Sequence, residues 1–423
     1  MKVLVVGAGG REHALAWRLA RCASVSEVIV APGNPGMAGL RRAAVAVNDH
    51  AGLIGLARAE GVGLVVIGPD AALEAGLADD LAAAGVLAFG PSRAAAEVEW
   101  SKAFTKALCA RAGIPTAGYA VFDDAASAKA ALSGPGPFVL KADGLALGKG
   151  VVIAPDRRTA ETEIDAMFAG RFGAAGARIV IEEFMEGEEI SLFALCDGER
   201  AALLGCAQDH KRAFDGDEGP NTGGMGAYSP APAATPAIVA TAMETIVRPA
   251  LAALSAMGRP YRGVLFAGLM LTADGPKLVE FNARFGDPET QALMALFEGD
   301  LALTLKACAE GDLTRAPAWG LGDKAAVAVV MAAQGYPDDP LKGAIVRGLP
   351  AAATVDGATV FSAGLGQDPE GRFIANGGRV LTLTGTGATI AQAADAAYAA
   401  AGAIDWPTGF YRRDIAWRAL WPR

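Results

Sequence analysis

Four runs near the start of the chain, KVLVVG (2–7), SEVIVA (26–31), VGLVVIGP (62–69) and GVLAFGP (85–91), are apolar at nearly every position rather than at alternate ones. A strand that is apolar on both faces has to be covered on both, the situation of a parallel sheet between crossover helices. The stretch after the first run supplies one such helix, with Leu15 and Leu19 stacked at i, i+4. The first hundred residues are therefore expected to form a doubly wound βαβ unit. Its first turn, GAGGREH (7–13), misses the dinucleotide fingerprint G-x-G-x-x-G because Glu12 replaces the last glycine. The second run ends in Ala31-Pro32-Gly33, with no acid for a ribose hydroxyl. Gly9, Gly10 and Arg11 still open a helix, where free N–H groups and a cation suit a phosphate. Tight strand–helix packing would ask for the same glycines.

With 423 residues the chain has room for about three domains. Its 37 basic against 46 acidic residues give a formal charge of −9 with no basic stripe, which argues against nucleic acid as a partner. No stretch is read as a membrane span, and MKVLVVGAGGREHA reads as a first strand, not a signal peptide. The five cysteines are scattered and lack a CxxC pair, and histidines occur only at 13, 50 and 210. Reduced thiols in a cytoplasmic protein, without a His/Cys zinc site, are the expectation.

Residues 92–116 are expected to be helical up to Gly113, where Pro115 completes a stop signal. PFVLKADGLALGKGVVIA (137–154) then places Gly144, Gly148 and Gly150 between two strand-like runs, with Lys141 and Lys149 beside them. This is either a surface hairpin or a flap that folds its N–H groups and lysines over phosphates. It is not a Walker loop, whose spacing differs and which leads into a helix. Strands are expected at 178–184, 190–198, 263–272 and 277–285, and helices near 157–170 and 236–257. The polar, Gly-rich stretch 207–232 is either disordered or an active-site loop. From about 324 a last α/β segment begins, with strand-like KAAVAVVMAA and RVLTLTG and a helix opened by a Thr389/Gln392 capping box.

KLVEFNARF alternates Glu280, Asn282 and Arg284 with Phe281, Ala283 and Phe285. Any half-exposed strand shows this period, but a carboxylate and an amide oxygen on one face also suit Mg²⁺, which takes few protein ligands beside phosphate oxygens. Arg284 next to them suits a carboxylate or phosphate. In EEFMEGEEIS (182–191) the strand ends in acids. It is a solvated turn, or a place where a base lies along the backbone of Glu183–Met185 with a carboxylate on the ribose.

KADGLALGKGVVIA, IVIEEFMEGEEIS, AQDHKR, GPNTGGMGAYSP and EFNARFGDPETQ, in this order, resemble the ATP-grasp family and within it the phosphoribosylamine–glycine ligases. The likeness runs from VVGAGGREHA to GFYRRDIAWRAL. It implies an α/β protein in three parts: a doubly wound parallel-sheet domain (1–103), an ATP-grasp core (104–323) with a mobile lid at about 120–189, and a small C-terminal α/β domain (324–423). It also implies ATP as co-substrate, Mg²⁺ or Mn²⁺, and glycine and 5-phosphoribosylamine as substrates joined through glycyl phosphate. By the resemblance, Lys102, Lys141, Gly148, Lys149 and Gly150 hold the phosphates, Glu183, Phe184 and Met185 the adenine, and Glu189 the ribose. Asp209, Lys211, Arg212, Asn221, Gly223, Gly224 and Arg284 surround the reacting groups. Gly9, Gly10 and Asn34 hold the ribose phosphate, and Glu280 and Asn282 the metal. Lys141, Asp209, Lys211 and Arg284 are the catalytic candidates.

The chain departs from the pattern at Asp70 in Gly68-Pro69-Asp70, at Leu147 in the flap and at Ser362-Ala363-Gly364. Another ATP-grasp ligase or carboxylase remains an alternative, as does a nucleotide-binding module without turnover. The oligomeric state is open, with a monomer compatible.

Overall fold

The computed structural model describes residues 1–144 and 150–421. The apolar runs form a five-stranded parallel sheet in the order Arg41–Arg42, Glu27–Pro32, Lys2–Gly7, Val62–Ile67, Ala88–Phe89. Val3, Leu4, Val5 and Val6 are fully buried, as two-sided cover by helices requires. The fourth run is cut to Ala88–Phe89. Residues 92–116 are two helices, Arg93–Trp100 and Lys102–Ala112, not one. Ser101 takes extended backbone between them, and its side chain accepts the Phe104 N–H at 3.0 Å, so it starts a helix where propensity would continue one. Asp143 Oδ1 also accepts the Ala103 N–H at 3.1 Å, which ties this new N-terminus to the hairpin strand.

That hairpin belongs to a four-stranded antiparallel sheet, Tyr119–Phe122, Ile179–Glu183, Phe138–Ala142, Val151–Ala154. Helices Ala125–Ala131 and Arg157–Ala166 cover one face, where Ala128, Leu132 and Ile164 meet Phe138, Leu140 and Ile179. Period-2 alternation therefore turns Val139, Lys141, Val180 and Glu182 to the other face.

Below it lies a nine-stranded antiparallel sheet. Its path runs Gly275–Asn282, Arg262–Thr272, Glu188–Asp197, Ala201–Asp209, Gly226–Ser229, Ala325–Ala333, Arg379–Gly387, Ala358–Ser362, with Gly409–Phe410 added on Ala325–Ala333. The stretch 207–232, for which disorder was one expectation, is ordered. It supplies Gly226–Ser229, the strand that joins the two halves of this sheet, and a short hairpin, Arg212–Phe214 with Glu218–Asn221. The C-terminal motif holds that hairpin in place. Buried Arg412 donates to Asp217 Oδ1 at 2.8 Å, to the Arg212 carbonyl at 3.1 Å and to Asp414, while Arg418 donates to Asp217 Oδ2 at 2.6 Å.

Thr389 caps helix Ile390–Gly402 by accepting the Gln392 N–H, but the Gln392 side chain returns to Ala388 N–H, one residue before the expected partner. This helix presses on Gly385, where a Cβ would meet the Ala393 carbonyl at 2.1 Å and Ala397 N at 2.5 Å. Backbone cannot yield as a side-chain tip does. Gly385→Ala is expected to lose about 2–3 kcal/mol of stability, read as a lower urea midpoint at unchanged m-value; an unaltered midpoint would show that the contact is slack.

Pro236–Ala256 is one continuous helical run, long and apolar enough by length and composition to cross a membrane, against the expectation that no such stretch exists. Ala242, Ile246, Val247, Ala250 and Leu254 of this run are buried in the main core, packed with Leu265, Ala267 and Leu278.

Candidate active site

Four lysines and four carboxylates meet between the two large antiparallel sheets. Lys141 Nζ lies 2.9 Å from Glu182 Oε1 and donates to the Val279 carbonyl at 3.0 Å. Lys106 Nζ takes the other oxygen, Glu182 Oε2, at 3.0 Å. All three side chains are buried, so one carboxylate balances two ammonium groups. Lys102, first residue of its helix, donates to Glu280 Oε2 at 3.0 Å and to the Glu99 carbonyl at 3.0 Å. Lys211 pairs with Glu189 Oε2 and sits 3.8 Å from Asp209 Oδ1. Burial alone would push the Glu280 carboxyl up, but Lys102, Lys141 and Lys211 outweigh it and hold Glu280 at about 2. Glu280 is thus an ionised carboxylate bonded to Lys102, with Lys141 and Lys211 close enough to favour its charge.

Asn282 and Arg284 stay on the Glu280 side although the strand ends at Asn282. Arg284 Nη2 donates to Asn282 Oδ1 at 3.0 Å and lies 3.0 Å from Glu99 Oε1, and Nη1 donates to the Phe285 carbonyl. Arg284 Nε is buried without a hydrogen-bond partner among the described residues. On the opposite side Phe281, Ala283 and Phe285 are buried, as the period-2 reading expected.

The structure gives several expected contacts other work. The Gly9 N–H donates to Glu12 Oε2 at 2.7 Å and the Arg11 N–H to Asp287 Oδ2 at 3.3 Å, so part of the first turn is already occupied by carboxylates. The Asn34 side chain is engaged within the fold. Its Nδ2 donates to the carbonyls of Ala8 and Ser362, and its Oδ1 accepts from Gly36 N–H and Ser362 Oγ–H. With its side-chain amide saturated it braces the turn, and only its backbone could face a phosphate. Arg212 is likewise engaged, donating to the Gly219 carbonyl at 2.7 Å inside its own hairpin. The Glu183 N–H bonds the Gly118 carbonyl, and the Met185 N–H has no backbone partner among the described residues. Phe184 is exposed beside them. Gly150 closes the base of the hairpin, its carbonyl accepting the Ala142 N–H at 2.8 Å. Gly148 and Lys149, with Leu147, lie outside the described residues.

Contacts from remote parts of the chain complete the picture. Arg379 donates through Nη1 to the carbonyls of Gly223 at 2.7 Å and Asp287 at 2.6 Å, clamping the NTGG turn to the GDP turn, and Tyr336 Oη accepts the Gly223 N–H. Asn221 ends the hairpin strand opposite Arg212, and Gly224, at φ +108°, packs on Pro288. Ser362, a departure from the family pattern, bonds both Asn34 and His13. The Ser362 N–H donates to His13 Nδ1 at 2.9 Å, and burial lowers this imidazole to about 4. No local pattern announces Lys106, Glu182 or Arg379, since each matters through a partner far away in the chain.

Three consecutive family models match: the phosphoribosylglycinamide synthetase N domain over residues 1–99, its ATP-grasp (A) domain over 100–290 and its C domain over 326–418. The phosphoribosylamine–glycine ligase of Caulobacter vibrioides is 55% identical over 427 residues, covering 100% of this chain and 99% of the relative. That of Brucella melitensis is 52% identical, covering 99% and 98%. Among solved structures, the phosphoribosylamine–glycine ligase of Thermotoga maritima superposes with a TM-score of 0.85 at 32% identity, covering 98% of this chain and 100% of that one. The biotin carboxylase domain of the Hydrogenobacter thermophilus 2-oxoglutarate carboxylase reaches 0.72 at 16% identity, over 97% and 91%, a likeness of fold alone. The chain belongs to the phosphoribosylglycinamide synthetase family, the ATP-grasp phosphoribosylamine–glycine ligases of purine biosynthesis.

Proposed function

We propose that the cleft between the four-stranded and nine-stranded sheets is where ATP activates the glycine carboxylate as glycyl phosphate and where the amine of 5-phosphoribosylamine then displaces phosphate. The observation that carries this reading is the convergence of Lys102, Lys141 and Lys211 on ionised Glu280. A triphosphate entering there meets three ammonium groups already gathered, each able to exchange a carboxylate for a phosphate oxygen. No protein nucleophile is needed; positioning and charge stabilisation away from water suffice.

Lys141, fixed on a buried strand, and Lys102, at a helix start, anchor the phosphates, with Gly148, Lys149 and Gly150 as cover. The Met185 N–H, which has no backbone partner among the described residues, meets adenine with Glu183 and Phe184 beside it, and Glu189 meets the ribose after releasing Lys211. Arg284, with Nε unsatisfied, takes the glycine carboxylate, and Asp209 and Lys211 face the reacting amine. Asn221, Gly223 and Gly224 line that end, with Arg212 behind them. Gly10 and what remains of the Gly9 turn receive the ribose phosphate. The parts 1–103, 104–323 with a lid near 120–189, and 324–423 serve respectively substrate, nucleotide and closure of the substrate loop. Cytoplasmic residence follows from the same reading.

Glu280 and Asn282 fit Mg²⁺ or Mn²⁺. One ionised carboxylate and one amide oxygen are side by side, and no cluster of three or more His, Cys, Asp or Glu able to hold a metal exists among the described residues. Such a set suits an ion that takes its other oxygens from phosphate and water. When bound, the ion offsets negative charge on the phosphates.

The test is ADP release with glycine and freshly generated phosphoribosylamine, omitting each in turn. Full turnover only with ATP, glycine and amine together is expected. Equal turnover with formate or bicarbonate in place of glycine would assign the cleft to a different acid.

A further inference from the structure

The cleft floor carries a row of residues set by sheet register: Glu280 lies opposite Gly268, Gly268 opposite Ser191, and Ser191 opposite Ala207. Opposed residues share a face, so Ser191 is two strands from Glu280, about 10 Å away. Asp209, two residues beyond Ala207, faces the same way. Gly268 has no side chain to block the row. Helix Glu289–Leu296 brings its first residue onto this row from above, where Ser191 Oγ–H donates to Glu289 Oε1 at 3.1 Å. Glu289 is 3% exposed, while the Asp209 side chain, at 9%, is the more open of the two carboxylates.

Resting on the reading that Asp209 faces the amine, we infer that Asp209 and Glu289 act as one proton-accepting pair, Asp209 meeting the amine of phosphoribosylamine and Glu289 keeping it basic through its charge. The amine lone pair attacks the glycyl carbonyl carbon and the C–N bond forms. The bond from that carbon to the phosphate oxygen breaks, its electron pair leaving with phosphate. The N–H proton passes to the Asp209 carboxylate, so the ionised pair goes from two negative charges to one.

A lone solvated carboxylate is too weak a base for this step, and a base that titrates near neutrality is better matched. Burial raises both acids. The charge of Asp209 raises Glu289 further, to about 7, against the Ser191 hydroxyl, its own backbone N–H and Arg284, which pull it down. Around Asp209, Lys211 and His210 lower and Glu189 raises it. Coupling between two acids is reciprocal, so each keeps the other basic.

The pH profile of kcat at saturating substrates tests this, because the titration of the substrate amine is common to every variant compared. Glu289→Gln keeps volume and an oxygen for Ser191 but removes the charge. Turnover at neutral pH should fall about tenfold or more, and the acidic limb should move to lower pH, since Asp209 loses its like-charged neighbour. Ser191→Ala removes a hydrogen bond that favours ionised Glu289, so its limb should move the other way. This milder variant decides the matter if Glu289→Gln does not fold. Reduced turnover in Glu289→Gln with an unmoved limb, or an unmoved limb in Ser191→Ala, would leave Glu289 a structural group and overturn the pair. Asp209→Asn separates the two readings: wild-type turnover there would remove Asp209 from the amine altogether, whereas inactivity together with unmoved limbs in the other variants overturns the pair alone.

Discussion

Replacing Glu280 by Gln is expected to lower turnover about 100-fold or more, the scale on which loss of one preorganised electrostatic partner acts. The substitution keeps volume and one oxygen but removes the charge on which three lysines converge. Two effects follow. The Mg²⁺ or Mn²⁺ concentration for half-maximal turnover should rise, since a neutral amide is a weaker partner for a dication. Lys102 also loses the acceptor for its 3.0 Å hydrogen bond, so its position at the phosphates loosens. A metal titration of turnover, with circular dichroism to establish folding, checks this. A wild-type metal requirement with wild-type turnover would make the Glu280 strand a solvated edge and nothing more.

The second large effect is expected at Lys141. Lys141→Met keeps the length of the buried stem and removes the ammonium between Glu182 and the Val279 carbonyl. ATP should bind at least tenfold more weakly, about 1.4 kcal/mol or more, and turnover should fall with it, because a fixed phosphate donor is lost. Glu182 keeps Lys106 at 3.0 Å, so the remaining pair is balanced in charge and the fold should survive. Isothermal titration with a non-hydrolysable ATP analogue distinguishes the cases. Unchanged nucleotide affinity with lower stability would make Lys141 part of a buried structural triad rather than a phosphate anchor.

Strand existence and face were legible in the sequence wherever a local period decides them. The two-sided apolar runs gave the parallel sheet, and the alternation in KLVEFNARF put Phe281, Ala283 and Phe285 in the core with Glu280 and Asn282 on the cleft side. What the sequence did not show depends on partners remote in the chain. Nothing local says that Ser101 will break a helix, a choice helped by Asp143 bonding the Ala103 N–H. Nothing local marks residues 226–229 as the strand that joins the two halves of the large sheet, because their partners lie near 208 and 327. The polar look of that stretch comes from the hairpin before it, held by Arg412 about two hundred residues later.

The site shows the same division. Lys102, Lys141, Lys211, Glu280 and Asn282 were singled out from motifs or from the family resemblance, and the fold brings them to one cleft. Lys106, Glu182 and Arg379 were not, since each is an ordinary charge until its distant partner is known. Asn34 was assigned to the substrate by the family resemblance, yet its side-chain amide is saturated by Ala8, Gly36 and Ser362. Hydrogen-bond accounting decides such cases, and it requires coordinates.

Oxygen transfer tests the central claim most directly. Glycine labelled with ¹⁸O in both carboxylate oxygens is turned over with ATP and phosphoribosylamine, and the phosphate released is examined by ³¹P NMR or mass spectrometry. If glycine is activated as glycyl phosphate in the Lys102–Lys141–Glu280 cleft, one labelled oxygen leaves in every phosphate and one stays in the amide. Product formed with unlabelled phosphate would contradict the account, because the carboxylate would then never have been bonded to phosphorus.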